Sequence, residues 1–162
     1  MADEAYRAVF LRVHPTGKMV LSLTTEPDGH EAEYAELVAG MLDVPALDVK
    51  VVPADTDRFG VGHGYNTSPS SGTSAAICSA TDKVLDKARL LAGMALDAPP
   101  ERLHWADGVF SDGGGGDGGG GAGGAGGDTV QTIAEVAMYA HGTGRLPPGV
   151  EGGLDAQTVY RD

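Results

Sequence analysis

The stretch SAAICSATDKVLDKARLLAGMAL, residues 74–96, decides the fold of this chain. Small and apolar residues recur in it every three or four positions, and the charged residues between them fall on the opposite side. The apolar positions are Ile77, Ala80, Val84, Ala88, Leu91 and Ala95. This spacing predicts one long amphipathic helix that buries a single face.

Shorter elements on both sides of this helix predict an α+β fold. Alternating or apolar runs indicate strands, and a three-to-four spacing of apolar residues indicates helices. We expect a hairpin over 8–13 and 19–25, a helix over 32–42, a strand over 49–53, two short strands around the Asp107–Gly108 turn, and a helix over 129–141. The expected architecture is a small mixed sheet of short strands packed by two to three helices.

Both ends of the chain suggest an incomplete piece of a larger domain. The chain enters a strand within its first ten residues and finishes on AQTVY, 156–160, a run suited to a strand within a tail that has no clear period. Unpaired strand edges are a liability that intact domains usually cover. A compact small protein with frayed termini is the alternative. Between 113 and 127, twelve of fifteen residues are glycine, which indicates a flexible loop or a disordered insertion.

The charge and cysteine content limit the classes of partner. The formal net charge of −12 disfavours nucleic acid and anionic membranes, because both repel an acidic surface. Such a surface is typical of proteins in concentrated salt and also of ordinary cytosolic proteins. The lone Cys78 excludes an internal disulfide, and its place next to the apolar stripe favours a structural thiol. The acidic start MADEAYR lacks a signal peptide, so we expect a cytoplasmic protein without membrane insertion.

A loop rich in glycine and hydroxyl groups, GHGYNTSPSSG at 62–72, leads directly into the long helix. Such a loop favours phosphate, because unpaired N–H groups and the helix dipole meet there. The loop holds no lysine, so backbone N–H and hydroxyl groups would have to bind the anion. The structural alternative is a turn followed by a helix N-cap.

No complete catalytic or metal-binding constellation is present in the sequence. The glycines of the loop do not fit the GxGxxG spacing, and TGKM at 16–19 is not a Walker loop. The five histidines lie far apart, and no His/Asp pair can be assigned to the loop serines. We therefore predict no catalytic residue and no metal ligand in this chain.

Five motifs in one order carry a resemblance to a known family. They are RVHPTGK at 12–18, GHE at 29–31, ADTD at 54–57, GYNTSPSSG at 64–72 and LPPGVEGGLDAQTVY at 146–160. Together they resemble the second molybdenum-cofactor-binding domain in the large subunit of molybdenum hydroxylases, the family of xanthine dehydrogenase, aldehyde oxidase and aerobic carbon monoxide dehydrogenase. The resemblance covers residues 1–162 apart from the glycine-rich tract.

The resemblance implies that two loops of this chain wrap a molybdopterin dinucleotide. The implied cofactor-binding residues are Gly29, His30, Gly64, Tyr65, Asn66, Thr67, Ser68, Ser71 and Gly72. Two features depart from the family pattern. The loop EPDGH at 26–30 lacks the usual glutamine and contains Asp28, and Asn66 replaces a usual arginine.

The implied function is part of an oxidoreductase that hydroxylates an aldehyde, a heteroaromatic compound or carbon monoxide with oxygen from water. The cofactor would be molybdopterin cytosine dinucleotide, shared with the remaining large-subunit polypeptide, while partner subunits carry iron–sulfur clusters and FAD. The family's catalytic glutamate and its other cofactor domain are not found in this sequence, so the chain should be inactive alone. The alternatives are a cofactor-free remnant that serves as a structural or interaction module, and an independent nucleotide-binding module.

Overall fold

The computed structural model describes residues 7–25, 27, 29–52, 72–112, 130–142, 146 and 148–161. The strands are β1 (Arg7–Val13), β2 (Met19–Leu23), β3 (Val49–Val52), β4 (Leu103–Ala106), β5 (Val109–Asp112), β6 (Val130–Thr132) and β7 (Leu154–Tyr160). The α-helices are α1 (Glu31–Leu42), α2 (Thr73–Leu96) and α3 (Ile133–His141). These elements confirm the predicted α+β class.

A four-stranded mixed sheet forms the centre of the fold, in the order β3-β2-β1-β7. β1 pairs antiparallel with β2 and with β7, whereas β3 lies parallel to β2. The predicted hairpin is present, and Gly17 adopts a φ of +87° in its turn, a conformation that favours glycine. α1 connects β2 to β3, because parallel neighbours require a crossover connection.

The helices bury one face of this sheet. Val9 and Leu11 of β1 and Leu21 of β2 point toward the helices and are fully buried. The predicted apolar stripe of the long helix meets them, with Ile77, Ala80, Val84, Ala88 and Leu91 all at 0% exposure. The helix predicted over 74–96 is thus confirmed, with its start one residue earlier.

A second, three-stranded antiparallel sheet has the order β4-β5-β6. Its first hairpin turns at Asp107 and Gly108, both with positive φ, as two-residue hairpin loops prefer. The Trp105 ring packs against Phe110 at 4.6 Å between ring centroids, and its Nε1 donates a hydrogen bond to the carbonyl of Met41 at 3.2 Å. The tryptophan therefore joins this sheet to the end of α1.

The prediction of a helix over 129–141 was wrong at its start. Residues 130–132 form β6, which pairs with β5, and the helix begins at Ile133. Thr132 is its N-cap and makes a capping box with Glu135, so the helix cannot extend further back. The β-branched Val130 and Thr132 suit the strand better than a first helical turn.

The first and last strands of the chain pair with each other, although β7 remains an outer strand of the described sheet. β7 pairs with β1 along its whole length, from Arg7 opposite Tyr160 to Val13 opposite Leu154. The local pattern of the tail does not reveal this pairing, because its partner lies about 150 residues away in sequence. The glycine-rich tract at 113–127 lies outside the described residues.

A cavity on the buried face of α2 should destabilise the protein. We expect Leu91→Ala, at a fully buried position, to lower the free energy of unfolding by about 2–5 kcal/mol in urea titrations followed by circular dichroism. The matched control is Leu90→Ala, because Leu90 is 39% exposed on the same helix and should cost less than about 1 kcal/mol. Equal losses in the two variants would contradict this packing.

Candidate functional site

The candidate site lies at one end of the four-stranded sheet. Since β1 is antiparallel to both β2 and β7, and β3 is parallel to β2, the strands β2, β3 and β7 all run in the same direction. Their carboxyl ends therefore lie at a common end of the sheet. α1 begins there, because it follows β2.

The start of α2 lies at this same end, because the helix runs antiparallel along β7. The Thr73 hydroxyl lies 2.8 Å from the Tyr160 hydroxyl, at the carboxyl end of the strand. Fourteen residues later, Lys87 Nζ donates to the carbonyl of Glu151 at 2.9 Å, near the beginning of β7. The amino ends of α1 and α2 thus share one end of the sheet, and so do the positive ends of their dipoles.

The amino end of α2 suits an anion. Its N-cap is Gly72, which has no side chain of its own to cap the helix, and its first turn contains no acidic residue. The first N–H groups of a helix have no partner within the helix and so are available to an acceptor. Thr73 is only 1% exposed and takes part in the hydroxyl contact with Tyr160, which ties this first turn to the sheet.

The amino end of α1 is less suited to an anion. Gly29 adopts a φ of +85°, and His30 is the N-cap. His30 Nδ1 lies 2.8 Å from Glu33 Oε2, and Glu31 also lies in the first turn. These carboxylates stabilise the positive end of the helix themselves. An anion at this position would meet two negative charges.

Arg7 is a residue of this end that the sequence reasoning missed. It stands opposite Tyr160 in the β1–β7 register and is only 7% exposed. Its side chain is on the helix-facing side of the sheet, the same side as Val9 and Leu11. The available signal was its inward position in an alternating strand, where an arginine is unusual and its burial costs desolvation energy.

The structure brings three of the predicted cofactor-binding residues to this end: Gly29, His30 and Gly72. The other six, Gly64, Tyr65, Asn66, Thr67, Ser68 and Ser71, lie outside the described residues and remain predictions. Among the described residues, no three His, Cys, Asp or Glu side chains converge on a point where a metal ion could bind. In that same part of the chain, no helix combines the length and apolarity required to cross a membrane.

An open cavity of about 590 Å³ lies on the other face of the sheet. Its lining includes Phe10, Arg12, Ser22 and Gln157. These residues alternate along the strands with the buried residues that face the helices. Of the predicted cofactor-binding residues that the structure describes, Gly29, His30 and Gly72, none lines it. It is therefore separate from the candidate site.

Comparison with known proteins identifies relatives of the chain. Residues 2–162 match the family model of the molybdopterin cofactor-binding domain. The carbon monoxide dehydrogenase large chain of Afipia carboxidovorans is 28% identical over 155 residues, and that of Hydrogenophaga pseudoflava is 30% identical over 155 residues. Each alignment covers 93% of this chain and 17% of the relative.

Solved structures agree with the sequence relatives. Reconstituted CO dehydrogenase from Oligotropha carboxidovorans matches with a TM-score of 0.76 and 25% identity, over 98% of this chain and 18% of the other. Quinoline 2-oxidoreductase from Pseudomonas putida 86 matches with a TM-score of 0.70 and 25% identity, over 97% of this chain and 19% of the other. The family inferred from the five ordered motifs is confirmed, and the chain spans less than a fifth of the length of these proteins.

A glycine before α1 and a glycine in its last turn should respond in opposite ways to a methyl group. Gly29→Ala should lower the free energy of unfolding by about 1 kcal/mol, because its φ of +85° strains any other residue although no atom obstructs a Cβ. Gly40→Ala, at an exposed position within α1 that is also open, should raise it by about 0.5–1 kcal/mol. Thermal unfolding of both variants measures this, and a stabilised Gly29→Ala would contradict the turn before α1.

Proposed function

The chain belongs to the molybdopterin cofactor-binding domain family of the molybdenum hydroxylases, and from this premise we propose that it supplies dinucleotide-binding loops to a large subunit. The substrate class of the whole enzyme would be carbon monoxide, an aldehyde or a heteroaromatic compound. We assign residues 1–162 to part of the second cofactor domain, with a glycine-rich insertion at 113–127.

The single observation that carries the proposal is the amino end of α2. It has no acidic residue in its first turn, it follows the loop rich in hydroxyl groups, and it lies at the carboxyl end of parallel strands. Ligands of open sheets commonly bind at that end, where helix N–H groups meet them. A diphosphate is the part of the dinucleotide that fits these donors.

The net charge of the chain does not by itself exclude a diphosphate at this position. A chain with a net charge of −12 repels a diphosphate at long range, and its loop contains no lysine. Repulsion by distant surface charges is screened by salt, whereas the N–H groups of the helix start act at hydrogen-bond distance. These local donors can therefore outweigh the distant surface carboxylates.

The described residues fit part of the cofactor. Gly72 and the first turn of α2 would receive the diphosphate, with Gly64, Tyr65, Asn66, Thr67, Ser68 and Ser71 as further proposed contacts. Gly29 and His30 would form a second, weaker contact, because Glu31 and Glu33 lie beside them. When bound, molybdopterin cytosine dinucleotide supplies the molybdenum chemistry of hydroxylation. The role of this chain is to bind and orient the nucleotide half.

The proposal requires other polypeptide. The chain spans 17% of the carbon monoxide dehydrogenase large chains, and we assign the catalytic base and the other cofactor domain to the remaining large-subunit polypeptide. Iron–sulfur and FAD subunits would carry the electrons away, in the cytoplasm. Alone, the chain should show no hydroxylase activity.

Purification of the chain with the products of its neighbouring genes tests the proposal. Molybdenum and CMP, released by acid in about equal amounts, would support it. Nucleotide without metal would instead indicate an independent nucleotide-binding module. The absence of both from a folded, assembled complex would indicate a cofactor-free structural module and would overturn the proposal.

A negative charge at position 72 should weaken diphosphate binding without destabilising the fold. Gly72→Asp adds a carboxylate at the positive end of α2, which favours the helix by about 0.3–1 kcal/mol but repels a diphosphate. We expect the CMP content of the assembled complex to fall at least about tenfold while the melting temperature holds or rises. Gly72→Asn is the control, because it has the same size without the charge. Equal CMP content in the two variants would argue against an anion at this position.

A further inference from the structure

α2 is attached to β7 by a row of polar contacts, which we name the α2–β7 seam. From the start of the helix onward it comprises Thr73 with Tyr160, Ser79 with Thr158, Lys83 with Gln157 and Thr158, and Lys87 with the carbonyl of Glu151. The seam therefore joins α2, from Thr73 to Lys87, to β7 and to the segment just before it.

Tyr160 forms the end of the seam that lies at the candidate site. Its hydroxyl and that of Thr73 are 2.8 Å apart in a partly buried position, between residues separated by 87 positions in sequence. The N-cap of the helix is Gly72, which has no side chain that could fix the first turn. The contact with Tyr160 ties that turn to the sheet.

We propose that Tyr160 is a positioning residue for the diphosphate. It does not contact the diphosphate but orients the first turn of α2, which binds it, through Thr73. This inference rests on the proposed function. A helix offers its first N–H groups to an anion only along the direction of its axis, and small displacements weaken charge-assisted hydrogen bonds. The Tyr160 hydroxyl holds the first turn of α2 at one position relative to β1 and β7, and Thr73 transmits that restraint.

The seam itself provides the control for a purely structural role. Thr158 donates to Ser79 Oγ at 3.2 Å and accepts from Lys83 Nζ at 3.2 Å, in the middle of the seam. Its replacement by valine removes hydroxyl contacts between the same two elements, away from the start of the helix. The loss of the Thr158 contacts and the loss of the Tyr160 contact would both loosen the packing of α2 on β7. Only the loss of the Tyr160 contact would displace the first turn of the helix.

The test compares Tyr160→Phe with Thr158→Val in the complex assembled from the chain and its partner subunits. Two quantities are measured: the rate at which the dinucleotide is released, followed as CMP, and the ³¹P resonance of the bound diphosphate. We expect Tyr160→Phe to release the dinucleotide about three- to tenfold faster, as the loss of one hydrogen bond allows, and to shift the resonance. Thr158→Val should leave both unchanged.

Variants of Thr73 test the same hydroxyl contact by changing the residue on the helix. Thr73→Val, which keeps the buried volume, should reproduce the effect of Tyr160→Phe, whereas Thr73→Ser retains a hydroxyl and should restore release to the wild-type rate. The double variant Tyr160→Phe with Thr73→Val should release the dinucleotide no faster than either single variant, because both remove one contact. Should Tyr160→Phe fail to assemble, Thr73→Val decides the question.

The two proposals fail in different ways. A wild-type complex without CMP would overturn the proposed function. A wild-type complex that contains CMP, while Tyr160→Phe or Thr73→Val behaves like Thr158→Val in release and resonance, would overturn the positioning role of Tyr160 alone.

Discussion

The antiparallel placement of β1 between β2 and β7 is the constraint on which the rest of the structure depends. It makes the two neighbours run in the same direction, and β3 follows β2 in parallel. The crossover through α1 and the antiparallel packing of α2 along β7 then place both helix starts at one end of the sheet. Strand direction and helix packing together bring two distant segments of sequence to one candidate site.

The two helix starts differ electrostatically although they share a location. α1 carries Glu31 and Glu33 in its first turn, and these neutralise its positive end. α2 has no acidic residue in its first turn. An anion is therefore favoured at α2, and this local difference counts for more than the net charge of the chain because long-range repulsion is screened by salt.

Elements with a strong local period could be predicted from the sequence. The amphipathic spacing of 74–96, the turn chemistry between β1 and β2, and the Asp107–Gly108 hairpin all depend on neighbouring residues, and the structure contains each of them. The prediction was wrong for the first residues of the helix at 129–141, because pairing with β5 outweighed the helical pattern there. The family could be recognised because its motifs occur in order, although each is short.

The candidate site was predictable only in part. Gly72 could be proposed because it lies in a recognisable loop before a helix. Arg7 and Tyr160 could not, since their relation depends on the pairing of the first and last strands, which leaves no local pattern. The hydroxyl contact between Thr73 and Tyr160 follows from that pairing and from the direction of α2, both of which are tertiary. The proposed contacts at 64–68 and at Ser71 remain predictions from the sequence.

Lys83 has a consequence for how further polypeptide can join this sheet. A strand at the outside of a sheet exposes carbonyl and N–H groups that recruit a foreign strand, and lysine is a common protection against this. Lys83 donates to the Gln157 carbonyl of the outer strand β7 at 2.8 Å. The ammonium occupies this acceptor and places a positive charge beside the strand, which disfavours self-aggregation through it.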